Sequence, residues 1–454
     1  MKTSQRARQY FLFFIDVLVL FVALFATLWL RRGLGEAVAS FGVHARYFAL
    51  IYAVLLGIYY VAGFYDLQTD FDDARFLGKI ILTSLVDSLV GALYFYLVRD
   101  APIGPKTVLA LDAIMTAFFV WIWRAAYSRI ARRLNSNTKI AFVGSDPALK
   151  DLVADIRAHP NGYETVAFYD EGGSPPPIEG LREFRDAESF VWMASSLDIS
   201  LVVISDERAL SEQTRMALLS LMGPELRFMR LDRFYEYRLR KIPIGTISDF
   251  WFLENIDLHA KKPYEGAKRA IDICLAALGL VVLSPILLLV AIAVKLTSRG
   301  PVFFIQTRLG RGGRAFPIVK FRTMHTDRND FSPTGRNDPR ITPVGNFLRR
   351  TRLDEVPQFY NILRGEMSFI GPRPERPEIA QDLERHVPYY RQRLLVKPGI
   401  TGWDQVSGEY HSPSVEDTYK KLQFDLYYIK NLSLMFDVSI AAKTIATVFA
   451  RSGR

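Results

Sequence analysis

Four apolar runs in the first 123 residues constrain this chain more than anything else in it. Residues 11 to 30, FLFFIDVLVLFVALFATLWL, are long enough to cross a bilayer and contain one acid, Asp16. Comparable runs lie at 47 to 64, 80 to 98 and 107 to 123. The first run is too long for a secretory signal and lacks a small-residue cleavage site, and a fully buried soluble helix is a poor explanation for four such runs. The expectation is an integral membrane protein whose residues 1–135 form a four-helix transmembrane domain.

Four spans return the chain to the side on which it began. Lys2, Arg6 and Arg8 precede the first run, and Arg124, Arg129, Arg132 and Arg133 follow the fourth, which predicts both ends in the cytoplasm. Arg31, Arg32 and Arg46 flank the loop this assigns to the outside and argue the other way. The one cysteine, Cys274, excludes an intrachain disulfide. The net charge of +10 is uneven: of 57 Lys+Arg and 47 Asp+Glu, 30 and 18 lie from residue 261 onward. A basic domain tethered by apolar helices points to anionic lipid head groups and a phosphate-bearing substrate rather than to nucleic acid.

After the fourth run, KIAFVG reads as a buried strand, PALKDLVADIRAHP as a helix and TVAFYDE as a second strand. ISLVVISDE, SEQTRMALLSLM and LRFMRL continue the alternation, which predicts a Rossmann-like α/β domain over residues 136–235. Only Gly144 and Ser145 follow the first strand. The G-x-G-x-x-G spacing that lets backbone approach a pyrophosphate is missing, so a structural or regulatory domain is favoured over a nucleotide site. Residues 236–262 read as a linker.

KRAIDICLAALGLVVLSPILLLVAIAVKLTSRG, residues 268 to 300, has the length to span a membrane. Lys268 and Arg269 at one end and Lys295 and Arg299 at the other place both ends on the same side. Ser284 and Pro285 interrupt the middle, so a helix over 268–296 that enters one leaflet, breaks there and returns is expected, with a kinked full span as the alternative. Residues 432 to 449 form an apolar helical face suited either to the membrane surface or to the soluble domain.

Chemistry concentrates between residues 301 and 406. GPVFFIQTRLGRGGRAFPIVKFRTM carries Arg308, Arg311, Arg314, Lys320 and Arg322, and DPRITPVGNFLRRTRLDEVPQ carries Arg340 ahead of the pair Asp354 and Glu355. Val356, Phe359, Tyr360 and Leu363 recur at helical spacing and Pro357 fits a first turn, so a helix is expected to start near Asp354. Its N-terminal dipole would hold the acids ionised, as suits a nucleophile or a metal ligand; ordinary helix capping explains the same residues. In GPRPE, Pro372 and Pro374 restrain Arg373, whose guanidinium matches phosphate oxygens.

The blocks GPVFFIQTRLG, KFRTM, RLDEVPQFYNILRGEMSFIGPRPE and PGITGWDQV, in this order and spacing, closely resemble the catalytic domain of the bacterial sugar transferases, the polyprenyl-phosphate hexose-1-phosphate transferases. The whole plan resembles the long, multi-domain members of that family. Val356 stands where leucine is usual and leaves both acids untouched.

The resemblance implies a fold made of a membrane α-helical N-terminal bundle, an α/β Rossmann-like middle domain and an α+β catalytic domain, residues 263–454, with a re-entrant membrane helix. It implies transfer of a sugar-1-phosphate from a UDP-sugar to undecaprenyl phosphate, releasing UMP, at the cytoplasmic face of the bacterial inner membrane. By the same resemblance Asp354 is the nucleophile, Asp354 and Glu355 are the Mg²⁺ ligands, and Arg308, Lys320, Arg322, Arg340, Pro372, Arg373 and Pro374 bind substrate. A homodimer is the expected assembly, with membrane phospholipid around it. Exopolysaccharide, capsule and O-antigen synthesis all remain open as the pathway. So do two other functions: a membrane glycosyltransferase that releases UDP, and a non-catalytic, nucleotide-sensing scaffold of polysaccharide export.

Overall fold

The computed structural model describes residues 2–65, 74–98, 105–134, 138–160, 162–172, 174, 179–205, 210–325, 338–407 and 414–449. Two compact units result: Met1–Lys139 with Ile156–Thr165, and Ile140–Asp155 with Val166–Arg454.

The first unit is built on α1 (Lys2–Arg32), α2 (Leu34–Val61), α3 (Ala74–Leu97) and α4 (Pro105–Leu134). Each contains a stretch long and apolar enough to cross a membrane. Leu20, Leu24 and Leu28 of α1 pack with Phe48, Tyr52 and Leu55 of α2, Ile80 of α3 and Val120 of α4. Two pairs of polar groups meet inside this core. The single acid of the first run, Asp16, receives the Arg124 guanidinium at 2.5 Å with both side chains fully buried, and the Tyr52 hydroxyl donates to Asp112 at 2.8 Å. Arg124 therefore does not flank the fourth span as its position in sequence suggests. It lies inside the helix bundle, where a lone charge is costly and a partner is needed.

The second unit begins with alternating strands and helices: β1 (Thr138–Val143), α5 (Ala148–Ala158), β2 (Tyr163–Tyr169), β3 (Arg182–Phe184), α6 (Ala187–Ser196), β4 (Leu201–Ile204), α7 (Glu212–Ser220) and β5 (Arg227–Arg230). The strands form one sheet in the order β3-β2-β1-β4-β5, with parallel pairing of β1 to β4, β2 to β3 and β4 to β5. The alternation expected from sequence is present; β3 and α6 are additions that the short, weakly patterned segment 182–196 did not reveal. Ala141, Val143, Val202 and Ala167 pack beneath Phe190 and Met193 of α6.

The chain continues through α8 (Leu231–Leu239) and α9 (Asp249–Asn255) to α10 (Lys262–Thr297), then β6 (Phe303–Leu309), β7 (Ala315–Phe321), α11 (Pro343–Thr351), α12 (Gln358–Arg364), β8 (Ser368–Ile370), α13 (Pro377–His386), β9 (Gly399–Thr401), α14 (Trp403–Val406), α15 (Val415–Lys430) and α16 (Leu434–Phe449). The stretch from 236 to 262 is well anchored: Ile242, Ile244, Ile247 and Trp251 are buried with Leu383, Tyr390, Leu422 and Leu426.

Helix α10 runs unbroken for 36 residues with Pro285 inside it, where a break was expected. Proline denies the carbonyl four residues earlier its N–H donor. That carbonyl belongs to Val281, and the Ser284 hydroxyl donates to it at 2.8 Å, which explains why the helix continues. Both ends of α10 pack on elements that follow it in the chain. Arg269 donates to the Ile362 and Leu363 carbonyls at the C-terminus of α12, while Val290 and Val294 are buried against Phe321 and Leu348. The opposite face exposes Leu278, Val281, Val282, Leu288 and Leu289.

Helix α16 packs on the domain through one face and leaves apolar residues exposed on another. Asp437 accepts from Tyr264, Lys268 and Tyr428 at 2.6 to 2.8 Å and Ile440 is buried, whereas Leu434, Met435, Val438 and Ile445 are exposed.

Candidate active site

The antiparallel β6–β7 hairpin sets the floor of the site. Phe316 and Ile318 point into a cluster with Ile362 and Met367, and the period-2 alternation of a strand puts Lys320 on the same side, one pair further along. Asn361 fixes α12 to this hairpin: its amide donates to the Pro317 carbonyl at 2.7 Å and its oxygen accepts from the Val319 N–H at 3.1 Å.

The paired acids are delivered by a sharp reversal. Helix α11 is capped by the Thr342 hydroxyl, which accepts from the Gly345 N–H at 2.9 Å, and ends at Arg352 in the left-handed region with φ of 58°. Left-handed backbone is uncommon outside glycine and carries strain. Leu353 to Glu355 then form a single 3₁₀ turn, and α12 starts only at Gln358. The helix expected to begin near Asp354 thus begins four residues later, because Pro357 occupies its cap position rather than its first turn.

Both acids are buried, and their electrostatics diverge. Glu355 Oε1 accepts from Lys320 Nζ at 2.8 Å and from Arg373 at 3.2 Å, and Arg352 lies 3.7 Å from Oε2. Burial alone would raise the Glu355 carboxyl, but Arg373 and Lys320 outweigh it and hold it at about 2. Burial and then the neighbouring Glu355 charge push the Asp354 carboxyl up from its ordinary range, against Lys320, Arg349 and Arg352. A helix dipole was expected to keep both acids ionised. The structure separates them because the dipole is replaced by a short turn and the surrounding cations converge on one acid. Asp354 Oδ1 is buried and has no hydrogen-bond partner among the described residues.

Glu355, but not Asp354, lines a cleft together with Arg308, Ile318, Lys320, Gln358, Arg373, Pro374, Gly399 and Ile400. Its far wall is the Pro372–Arg373–Pro374 turn. Gly371 and Gly399 let that turn close against the neighbouring strand, since a Cβ on Gly399 would lie 2.1 Å from the Gly371 nitrogen. Arg393, fully engaged with Asp425 at 2.9 Å and with the Tyr390 hydroxyl, donates to the Arg373 carbonyl at 3.1 Å. Arg308 braces the same turn through the Pro374 carbonyl at 3.1 Å.

Of the residues singled out from sequence, Arg308, Lys320, Glu355, Arg373 and Pro374 meet in one cleft. Pro372 lines an adjoining hollow with Tyr390 and Arg393. Arg322 sits apart, donating to the Ser298 carbonyl and hydroxyl at 2.8 Å, and Arg340 is locked to Asp338 at 2.6 Å. Gln358, Arg393 and Asp425 were not singled out. Nothing local marks the last two, because an isolated Arg or Asp reads as surface until the fold pairs them.

Among the described residues no group of three or more His, Cys, Asp or Glu is placed to hold a metal. Mg²⁺ commonly takes only one or two carboxylates and completes its shell with water and substrate phosphate. The partnerless Asp354 Oδ1, adjacent to Glu355, fits that donor set.

Residues 263–451 match the family model described as bacterial sugar transferase. A UDP-N-acetylgalactosamine-undecaprenyl-phosphate N-acetylgalactosaminephosphotransferase of Aeromonas hydrophila is 43% identical over 192 residues, which are 42% of this chain and 45% of that protein. The aligned part thus spans under half of that relative's length. A UDP-glucose:undecaprenyl-phosphate glucose-1-phosphate transferase of Klebsiella pneumoniae is 29% identical over 95% of this chain and 93% of its own. An exopolysaccharide production protein, PSS, of Rhizobium leguminosarum bv. phaseoli is 42% identical over 40% of this chain and 96% of its own.

Proposed function

The chain belongs to the bacterial sugar transferase family, and we propose that it transfers a sugar-1-phosphate from a UDP-sugar to undecaprenyl phosphate, releasing UMP. The observation that carries this reading is the buried Asp354–Glu355 pair, with Glu355 Oε1 held by Lys320 and Arg373 in a cationic cleft and the adjacent Asp354 keeping an oxygen without a partner among the described residues.

In this reading the donor diphosphate lies in the cleft against Arg308, Lys320 and Arg373, whose positive charge meets the charge that develops on the transferring phosphoryl oxygens. Ionised Asp354 attacks the sugar-side phosphorus. The new Asp–O–P bond forms as the bond from phosphorus to the UMP oxygen breaks. An oxygen of undecaprenyl phosphate then attacks the same phosphorus, the aspartyl bond breaks, and the carboxylate returns. Glu355 keeps Lys320 and Arg373 in place. Mg²⁺, held by Asp354 and Glu355, would supply further positive charge at the phosphates.

The acceptor's phosphate is presented at a bilayer surface. Support for a site at that depth comes from α10, about 54 Å long at helical rise, which packs on the catalytic domain near both ends while its other face is apolar and exposed. A full crossing would carry one end away from the domain, so a re-entrant or in-plane placement with the domain on the cytoplasmic side fits better. The relatives' names cover glucose and N-acetylgalactosamine, so the sugar stays open.

The test is to incubate purified protein, Mg²⁺ and undecaprenyl phosphate with a panel of UDP-sugars and to follow the nucleotide product for wild type and Asp354→Asn. UMP from one donor, lost in the variant, is expected. UDP would mean simple glycosyl transfer, and no nucleotide from any donor would favour a scaffold.

A further inference from the structure

Gln358 stands out among the groups lining the cleft. It is only 2% exposed, and its amide nitrogen Nε2 has no hydrogen-bond partner among the described residues. An unmatched buried amide donor is costly to a fold, and native structures retain few. The ordinary solutions are absent here. Glu355, the nearest acid in sequence, already accepts from Lys320 and Arg373, and the adjacent Asn361 is satisfied by Pro317, Val319 and Glu366.

Position adds the second half of the argument. Gln358 opens α12 four residues after Asp354, and its side chain lines the cleft with Arg308, Lys320, Glu355 and Arg373. The three cations there call for an anionic ligand. The orphaned amide donor on Gln358 matches the acceptor oxygens that such a ligand carries.

We propose that Gln358 is a substrate-contacting residue whose amide donates to a phosphate oxygen of the donor diphosphate. This rests on the donor reading of the cleft. An amide adds what the cations lack, a directional donor that carries no charge of its own. It can orient the phosphoryl group toward Asp354 without further raising the charge density around Glu355. The cost of leaving it unmatched in the free protein is a stability sacrificed for the bound state.

The test compares Gln358→Met, close in size but without a donor, and Gln358→Glu with wild type, using UDP in Mg²⁺ as the binding probe and the thermal midpoint as a second readout. Gln358→Met should weaken UDP by about 10-fold, the scale of one hydrogen bond to a charged group. Its thermal midpoint should equal or exceed that of wild type. Gln358→Glu should weaken UDP further, by about 100-fold, because an acid would face the phosphate.

Unchanged UDP affinity in Gln358→Met overturns the assignment. A lowered midpoint with unchanged affinity assigns Gln358 to folding alone. Equal affinities in the Met and Glu variants would place the contact away from phosphate. If wild type itself fails to bind UDP, the donor reading of the cleft fails, and this inference with it.

Discussion

At the scale of the residue, the acid pair shows how far neighbouring carboxylates can be driven apart. Glu355 is held at about 2 by Arg373 and Lys320 against its burial, and Asp354 is raised by burial and by Glu355. In the proposed mechanism Asp354 must be ionised to attack, so activity should fall as pH drops through the raised Asp354 value while Glu355 stays ionised. A pH profile of turnover checks this; an acid limb at the ordinary aspartate value of about 3.9 would show that Asp354 is not desolvated.

The same shift sets a stability sign. A carboxyl raised in the folded state costs stability above its unfolded value, and the cost disappears below it. Asp354→Asn should therefore abolish transfer while leaving the thermal midpoint at pH 7 equal to or above that of wild type, with the difference fading in acid. A variant that unfolds more easily at neutral pH would contradict the assigned direction.

At the scale of the element, the proposed location of the chemistry turns on α10. Its length and hydropathy satisfy a membrane span, and its proline suggests a break, yet the helix is continuous because Ser284 replaces the donor that Pro285 removes. Arg269 and Asp272 tie its first half to the chain around α12 and β8, and Phe359 presses against Gly279. Single cysteines Lys262→Cys and Arg299→Cys, each in a Cys274→Ser background, should label from the same side of sealed vesicles with an impermeant maleimide. Labelling from opposite sides would establish a full crossing and move the catalytic domain outside.

At the scale of the whole molecule, the Rhizobium relative aligns over 96% of its own length to 40% of this chain, which makes the independence of the C-terminal domain a question to test. The structure sets where such a fragment has to begin. Ile242, Ile244, Ile247 and Trp251 complete a buried cluster with Leu383, Tyr390 and Leu422. A fragment starting at 241 should fold and retain transfer. One starting at 263 should lose thermal stability, because removing a single buried large apolar side chain costs about 2–5 kcal/mol and four are missing. Thermal unfolding of the two fragments decides it, and equal midpoints would show that the segment is dispensable.

Sequence by itself determined whatever depends on local pattern. Runs of apolar residues marked the membrane helices, alternation of strand and helix periods marked the parallel α/β sheet, and long ordered blocks marked the family and brought out most of the cleft. Tertiary structure alone decided which charges meet. It paired Arg124 with Asp16 across 108 residues, took Arg340 out of the cleft by joining it to Asp338, set Arg393 and Asp425 behind the Arg373 turn, and left Gln358 without a partner. The physical reason is range. Periodicity and turn chemistry act over a few residues and can be read along the chain, whereas burial and Coulombic partnership are fixed by segments far apart in sequence. The shift at Asp354 is in large part such a property, because burial, which the fold sets, is its largest cause.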